Sequence, residues 1–289
     1  MKISEKLCSS SPIFSFEFFP PKNSEGFATL YETIARLKSS APGFVSVTYG
    51  AGGTTRSKTV DLVGNIKSAI GIESMAHLTC VGHNEHEIYS VLESLHERNI
   101  ENVLALRGDP PQGEEKFIKT KGGFEYGNEL VSFIKKNFSF CIGAACYPEG
   151  HIECKDLDKD IENLKRKVDS GVDFLVTQLF FDNQNYFKFL DRAQAAKINI
   201  PIIPGIMPIL NLKQMQRFTR MCGANLSPSL LGKFKGVEDD NEKVREIGIF
   251  HAIEQCRELL KYKVPGIHFY TLNRSKATLN ILDALRDFK

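Results

Sequence analysis

Glu17 is the one acid in FSFEFFPPK, residues 14–22, a phenylalanine-rich run that ends in two prolines. In an extended strand alternate side chains take opposite faces, so Phe14, Phe16 and Phe18 share one side while Ser15 and Glu17 share the other. The acid therefore turns away from those three rings. Two roles are open to it: a structural acid paired with an Arg or Lys of a neighbouring strand, or an acid held at the mouth of a pocket, the second being favoured. A carboxylic acid at such a rim can protonate a departing nitrogen.

Other polar residues carry a structural reading beside a chemical one. Arg107 and Asp109 stand together in LALRGDPP, where the aspartate can pair with the arginine, cap the turn before the prolines or take part in chemistry. His77 in AHLTC reads as a satisfied core histidine. His83 and His86 in GHNEHE read as exposed residues at a helix start, too few to hold a metal. Cys141, Cys146 and Cys154 read as small packing residues. In DIENLKRKVDSG, Asp160, Asn163 and Lys167 fall three and four apart on one helix face with Arg166 beside them. That face is either solvated surface or a dock in which Asp160 and Asn163 take ribose hydroxyls while the two cations neutralise a diphosphate.

These residues need elements to hold them. Eight apolar runs read as strands, at 14–20, 44–50, 74–80, 102–109, 140–148, 174–181, 200–208 and 266–273. Between them lie segments of helical period such as 85–99 and 157–171, the latter closed by a glycine. Eight β/α units predict an α/β fold, a (β/α)8 TIM barrel in one domain over 1–289, rather than an open doubly wound sheet. No strand leads into GxGxxG, so a Rossmann nucleotide site is unsupported. The charged stretch 232–246 reads as a solvated loop before a long helix, with room for an extra helix. Barrel enzymes place chemistry at the carboxyl ends of the strands. Glu17, Thr48, Tyr49, His77, Thr79, Arg107, Asp109, Tyr147, Gln178 and Tyr270 to Arg274 all fall at such ends.

Composition narrows the partners. With 37 basic against 35 acidic side chains the net charge is +2, which gives no footprint for nucleic acid or a membrane surface. No apolar run is long enough to span a bilayer, and the start lacks the apolar core of a secretory signal. Seven cysteines without a CxxC pair argue against a disulfide framework or a zinc ribbon. A cytoplasmic enzyme acting on small molecules, without metal and assembled as a homo-oligomer, is the expectation.

Taken in order, FEFFPPK, VSVTYGAGG, HLTC, ALRGDP, AACYPEGH, NLKRKVDSGVDFLVTQLFFD, PIIPGIMP and HFYTLNR closely resemble the catalytic barrel of methylenetetrahydrofolate reductases, from about residue 10 to the last helix. The resemblance implies an FAD-containing barrel. In it NADH or NADPH reduces the flavin, which passes hydride to 5,10-methylenetetrahydrofolate and yields 5-methyltetrahydrofolate. It places Thr48, Tyr49, His77, Leu106, Arg107, Gly108, Asp109, Tyr147 and His151 around the flavin and ribityl chain. Asp160, Asn163, Arg166 and Lys167 fall at the diphosphate and adenosine. Glu17, Asp109, Gln178, Phe218, Tyr270 and Arg274 match folate positions, where the nicotinamide also stacks.

On this resemblance Glu17 becomes the acid that opens the folate ring, and Asp109 a partner of the pterin that also sets negative charge near the flavin. Two substrates sharing one flavin face imply ping-pong kinetics. A flavin-free folate barrel and a catalytically silent barrel are the competing readings, and the diphosphate helix argues against the first. IEC follows YPEGH where relatives commonly have PEA, and the insertion 111–127 resembles the eukaryotic style. No regulatory domain, and hence no inhibition by S-adenosylmethionine, is expected. NADH and NADPH are not distinguished, since no Rossmann acid or arginine reads the ribose 2′ position.

Overall fold

The structure, a computed structural model, describes residues 1–49, 56–110 and 117–288. Residues 50–53 of the glycine-rich motif and 111–116 of the insertion lie outside them. Among the described residues nine strand segments occur, with helices between all but the seventh and eighth: β1 (Ile13–Phe18), β2 (Phe44–Val47), β3 (Ser74–Thr79), β4 (Asn102–Leu106), β5 (Cys141–Cys146), β6 (Phe174–Thr177), β7 (Ile202–Ile203), β8 (Gly205–Ile206) and β9 (Gly266–Tyr270). They form one sheet in the order β7-β6-β5-β4-β3-β2-β1-β9-β8, and every pairing is parallel.

β7 and β8 are the two halves of the seventh predicted strand, divided at Pro204. Proline has no N–H to give a ladder, and the chain changes partners there. Val176 pairs with Ile203 on one side, and Gly205 with His268 on the other. The Pro204 carbonyl accepts from His268 N at 2.9 Å. One extended segment thereby meets both edges of the sheet, which curls into the expected (β/α)8 barrel. Several strands stop short of their predicted ends, because residues such as Arg107 to Asp109 belong to the loops at the carboxyl mouth.

The helices are α1 (Ile3–Lys6), α2 (Ser24–Lys38), α3 (Arg56–Asn65) with a π turn at Ile66–Ile70, α4 (Glu85–Glu97), α5 (Gly127–Asn137), α6 (Leu157–Asp169), α7 (Asn183–Ala195), α8 (Leu212–Cys222), α9 (Pro228–Gly232), α10 (Asn241–Lys261) and α11 (Lys276–Asp283). Asn84 and Glu87 form a reciprocal capping box that starts α4, and Asp156 caps α6 by accepting from Asp158 N and Lys159 N. The expected extra helix is α9, which lies ahead of the charged stretch, in SPSLLG.

Phe14, Phe16 and Phe18 point outward and are buried with Leu30 and Ile34 of α2. The lower interior is apolar, built from Phe44, Met75, Leu104, Cys141, Phe174 and Ile203. Ile3 of α1, a helix that sequence reading did not foresee, joins that cluster, and its N–H donates to Asn102 Oδ1 at 2.8 Å. The floor is thereby closed, leaving the carboxyl mouth for chemistry.

Candidate active site

Glu17 lies inside the barrel, as strand alternation requires. Its register neighbours are Ser46 on β2 and Tyr270 on β9. Its side chain is 21 % exposed, with Oε2 lying 3.5 Å from His77 Nε2 and 3.8 Å from His268 Nε2. The expected structural partner, an Arg or Lys, is replaced by two imidazoles. His77 is indeed a buried core histidine, but its Nε2 has no well-directed hydrogen bond. Desolvation pulls its pKa down to about 4 against the opposing charge of Glu17. The contact is therefore one between Glu17 and a neutral ring at neutral pH. Thr79, next inward-facing residue on β3, also buries an unpaired hydroxyl. Two unpaired polar atoms in succession mark a place where a polar ligand group would be held.

A second feature opens over the ends of β4 and β5. It is a cavity of about 600 Å³ lined by Leu106 and Arg107, Tyr147, His151 and Glu153, the N-terminus of α5, and Asp160, Asn163, Arg166 and Lys167 of α6. The α6 face is thus a cavity wall rather than plain surface. Lys167 Nζ donates to the Ala145 carbonyl at 2.7 Å, and burial pushes its pKa down. Burial pushes Asp160 the other way, upward. Arg166 donates to Asn163 Oδ1. Desolvation, then the charge of Arg107, lower the pKa of His151, whose ring meets Tyr147 edge-on at 4.6 Å. The N-cap of α5, Tyr126, gives the helix no capping side-chain hydrogen bond, so the first N–H groups, at Gly127 and Asn128, and the positive end of the dipole face the cavity.

Arg107 does not pair with Asp109. Its guanidinium binds Glu153 in a two-pronged pair of 2.7 and 2.6 Å and lies over the Phe117 ring at 5.2 Å. That hydrogen bonding raises the arginine's pKa and lowers the glutamate's. Asp109 is exposed at the mouth, within electrostatic reach of Arg107 and Tyr147. Gly108 between them has φ +88°, and a Cβ there would lie 2.7 Å from Val81 Cγ1, so glycine is required.

The remaining predicted residues ring the mouth. Tyr270 donates to the Thr177 carbonyl at 2.6 Å; burial first, then Glu17, raise its pKa well above normal. Phe218 on α8 packs into the cluster that includes Tyr270. Gln178 borders a small recess beside Tyr147 and Cys222, its Oε1 accepting from Leu179 N at 2.9 Å. Thr48 is half-buried at the end of β2 and Arg274 exposed after β9. Tyr49 is buried with its hydroxyl 3.3 Å from His83 Nε2. His83 corrects an expectation: it is 3 % exposed, because Nδ1 bonds the Val81 carbonyl at 2.7 Å and draws the ring inward. Thr48, Tyr49, Gly108, Asp109 and Arg274 are not among the described lining of the large cavity.

Sequence reasoning missed Glu153, the α5 N-terminus, and Ser15, Ser46 and His268 below Glu17. FEYGNEL carried one usable signal, a helix start with no Ser, Thr, Asp or Asn at the cap.

A family model, Methylenetetrahydrofolate reductase, matches residues 2–286. "Methylenetetrahydrofolate reductase (NADH) 1" of Arabidopsis thaliana is 38% identical over 98% of this chain and 50% of its own length. "Methylenetetrahydrofolate reductase 1" of Schizosaccharomyces pombe is 40% identical over 99% of this chain and 48% of its own. "5,10-methylenetetrahydrofolate reductase" of Escherichia coli is 39% identical over 94% of this chain and 90% of its own. The chain spans about half the length of the plant and fission-yeast relatives. A solved Clostridium thermocellum protein, described as uncharacterized and binding two copies of 5-methyl-5,6,7,8-tetrahydrofolic acid, shares the fold with a TM-score of 0.62 at 15% identity, over 99% of this chain and 98% of that one. With a family model over nearly its whole length and relatives near 40% identity, the chain belongs to the methylenetetrahydrofolate reductase family.

Proposed function

We propose that this barrel catalyses the FAD-dependent reduction of 5,10-methylenetetrahydrofolate to 5-methyltetrahydrofolate by a reduced nicotinamide, in alternating half-reactions. The observation that carries the reading is the inward, partly exposed carboxyl of Glu17 at the mouth of a barrel whose rim holds a cation-lined cavity. The names of the plant relatives specify NADH, which makes NADH the reductant to try first.

The residues present fit FAD. Arg107, Arg166, Lys167 and the free N–H groups of α5 suit a diphosphate, while Asp160 and Asn163 suit ribose hydroxyls. The unpaired His77 Nε2 and Thr79 hydroxyl suit the polar edge of a ring system deeper in the mouth. Bound there, FAD supplies the hydride chemistry that no side chain has. Glu17 supplies a proton. It passes from the carboxyl to the departing nitrogen of the folate's five-membered ring; the C–N bond breaks with its electron pair going to nitrogen, and the one-carbon unit is left as an iminium ready for reduction. Glu17 is left as a carboxylate that takes a proton back at the open mouth. Tyr270 and Phe218 offer the folate an apolar wall, and Asp109 an acceptor for the pterin.

Purified protein should be yellow, bleach with NADH or NADPH under anaerobic conditions, and regain its colour with methylenetetrahydrofolate. A colourless protein that binds no flavin yet binds methyltetrahydrofolate would replace this reading with the flavin-free folate barrel.

A further inference from the structure

Below Glu17 the barrel holds polar groups that the reaction above does not use. His268 on β9 is 1 % exposed, with Nδ1 2.8 Å from Ser15 Oγ and Nε2 3.3 Å from Ser46 Oγ. Its ring stacks on Phe44 at 5.7 Å and 16°, and Tyr270 meets it edge-on at 5.6 Å. Ser15 lies two residues before Glu17 on the same face of β1, and Ser46 is the β2 register partner of Glu17. Of these groups His268 faces that carboxyl directly, its Nε2 lying 3.8 Å from Glu17 Oε2.

Barrel interiors are ordinarily filled by bulky apolar side chains, and the layer below is so filled. Burying an imidazole and two hydroxyls there costs stability unless each is paired. Ser15 Oγ–H can donate to His268 Nδ1 at 2.8 Å, the shorter of its two contacts, the other being the Ile267 carbonyl at 3.5 Å. His268 Nδ1 then accepts, which puts the ring N–H on Nε2 and directs it between Ser46 Oγ at 3.3 Å and Glu17 Oε2 at 3.8 Å. A ring wedged between Phe44 and Tyr270 and tied at both nitrogens has one orientation.

We propose that His268, held by Ser15 and Ser46, is a positioning residue for Glu17: it keeps Oε2 turned inward, so that Oε1 is the oxygen offered to substrate. His77 bounds the same oxygen from β3. The inference rests on Glu17 being the proton donor, and it adds the device that aims it. Loss of that aim slows proton delivery without touching cofactor reduction.

The test uses flavin-loaded protein in anaerobic stopped-flow, with flavin reduction by NADH or NADPH and reoxidation by methylenetetrahydrofolate followed separately. His268→Phe keeps the ring's bulk and removes both nitrogens. At saturating folate it should slow reoxidation by about tenfold or more, leave the folate dissociation constant within about threefold, and leave flavin reduction within about twofold. His268→Gln, which restores a polar group near Nε2, should recover part of the loss. In a Glu17→Gln background His268→Phe should add nothing further, because the group it aims is gone. Should His268→Phe not fold, Ser46→Ala removes one tether and should give a smaller loss confined to the folate half-reaction. Equal losses in both half-reactions, or full additivity with Glu17→Gln, would overturn the assignment. If Glu17→Gln by itself spares folate reduction, the proton-donor reading falls first; if Glu17→Gln cripples it while His268→Phe does not, only the role of His268 is lost.

Discussion

Glu17 Oε2 and His77 Nε2 lie 3.5 Å apart in the barrel mouth, yet the two are not an ion pair at neutral pH. Burial holds the histidine's pKa near 4, outweighing the pull of the carboxylate. Below pH 6.5 the unfolded chain gains a proton at His77 that the folded chain refuses until about pH 4. The native state is thus unpenalised above pH 6.5 and loses stability as the pH falls through that window, by about 2 to 3 kcal/mol near pH 4.5. His77→Gln should flatten this part of the acid limb, as seen by urea denaturation at pH 7 and pH 4.5. Parallel pH dependence in the two proteins would mean that the imidazole is not kept neutral by burial.

Glu17→Gln retains volume and removes the transferable proton. Flavin reduction by the nicotinamide should proceed within about twofold of normal, while folate reduction should fall by about 100-fold or more. Single-turnover measurement of each half-reaction decides it, and equal damage to both would remove Glu17 from the role of acid.

Glu153 occupies the guanidinium of Arg107, but its side chain is 52% exposed, so the pair is screened by solvent and worth little. A diphosphate entering the cavity competes with it for the same cation. Glu153→Gln should therefore tighten FAD binding by about two- to fivefold, whereas Lys167→Met should weaken it. Titration of flavin-free protein by fluorescence quenching measures both. Weaker binding by the Glu153 variant would show that this carboxylate itself supports the cofactor.

Asp109 contributes its charge from the mouth and has not spent it on Arg107, whose partner is Glu153. Negative charge near a bound flavin disfavours the reduced anion. Asp109→Asn should raise the flavin potential and weaken folate binding. An unchanged potential would place Asp109 too far away to act.

The alternation in FSFEFFPPK fixed the direction of Glu17, since period two leaves no other choice once three phenylalanines claim the outer face. Helix spacing likewise assembled Asp160, Asn163 and Lys167, although only tertiary structure made that face a cavity wall. What stayed hidden were relations between strands. Ser15 and Ser46 look like ordinary small polar residues until the register brings His268 between them. His83 looked exposed because its helix cap is polar, and its burial comes from a hydrogen bond to a backbone carbonyl that periodicity does not reveal. The split at Pro204 was equally out of reach, because partner exchange depends on where the sheet edges meet.

Gly205 shows how tightly the closing segment is fitted to the site. A Cβ there would lie 2.4 Å from the Thr177 carbonyl oxygen and 2.6 Å from Tyr270 Cε2. The carbonyl belongs to the β6 backbone, so an added methyl must push β8 away from it as well as displace the Tyr270 ring, which loses its 2.6 Å hydrogen bond to that same oxygen. Gly205→Ala should cost about 2 to 4 kcal/mol from overpacking and the lost bond, and should weaken folate binding because the tyrosine ring is displaced. Tyr270→Phe, which keeps the ring and loses only the bond, should cost about 1 kcal/mol. Denaturation curves and folate affinities of the two variants separate ring position from hydrogen bonding. Equal behaviour of Gly205→Ala and the unaltered protein would mean that the strand yields and that Tyr270 does not depend on this close approach.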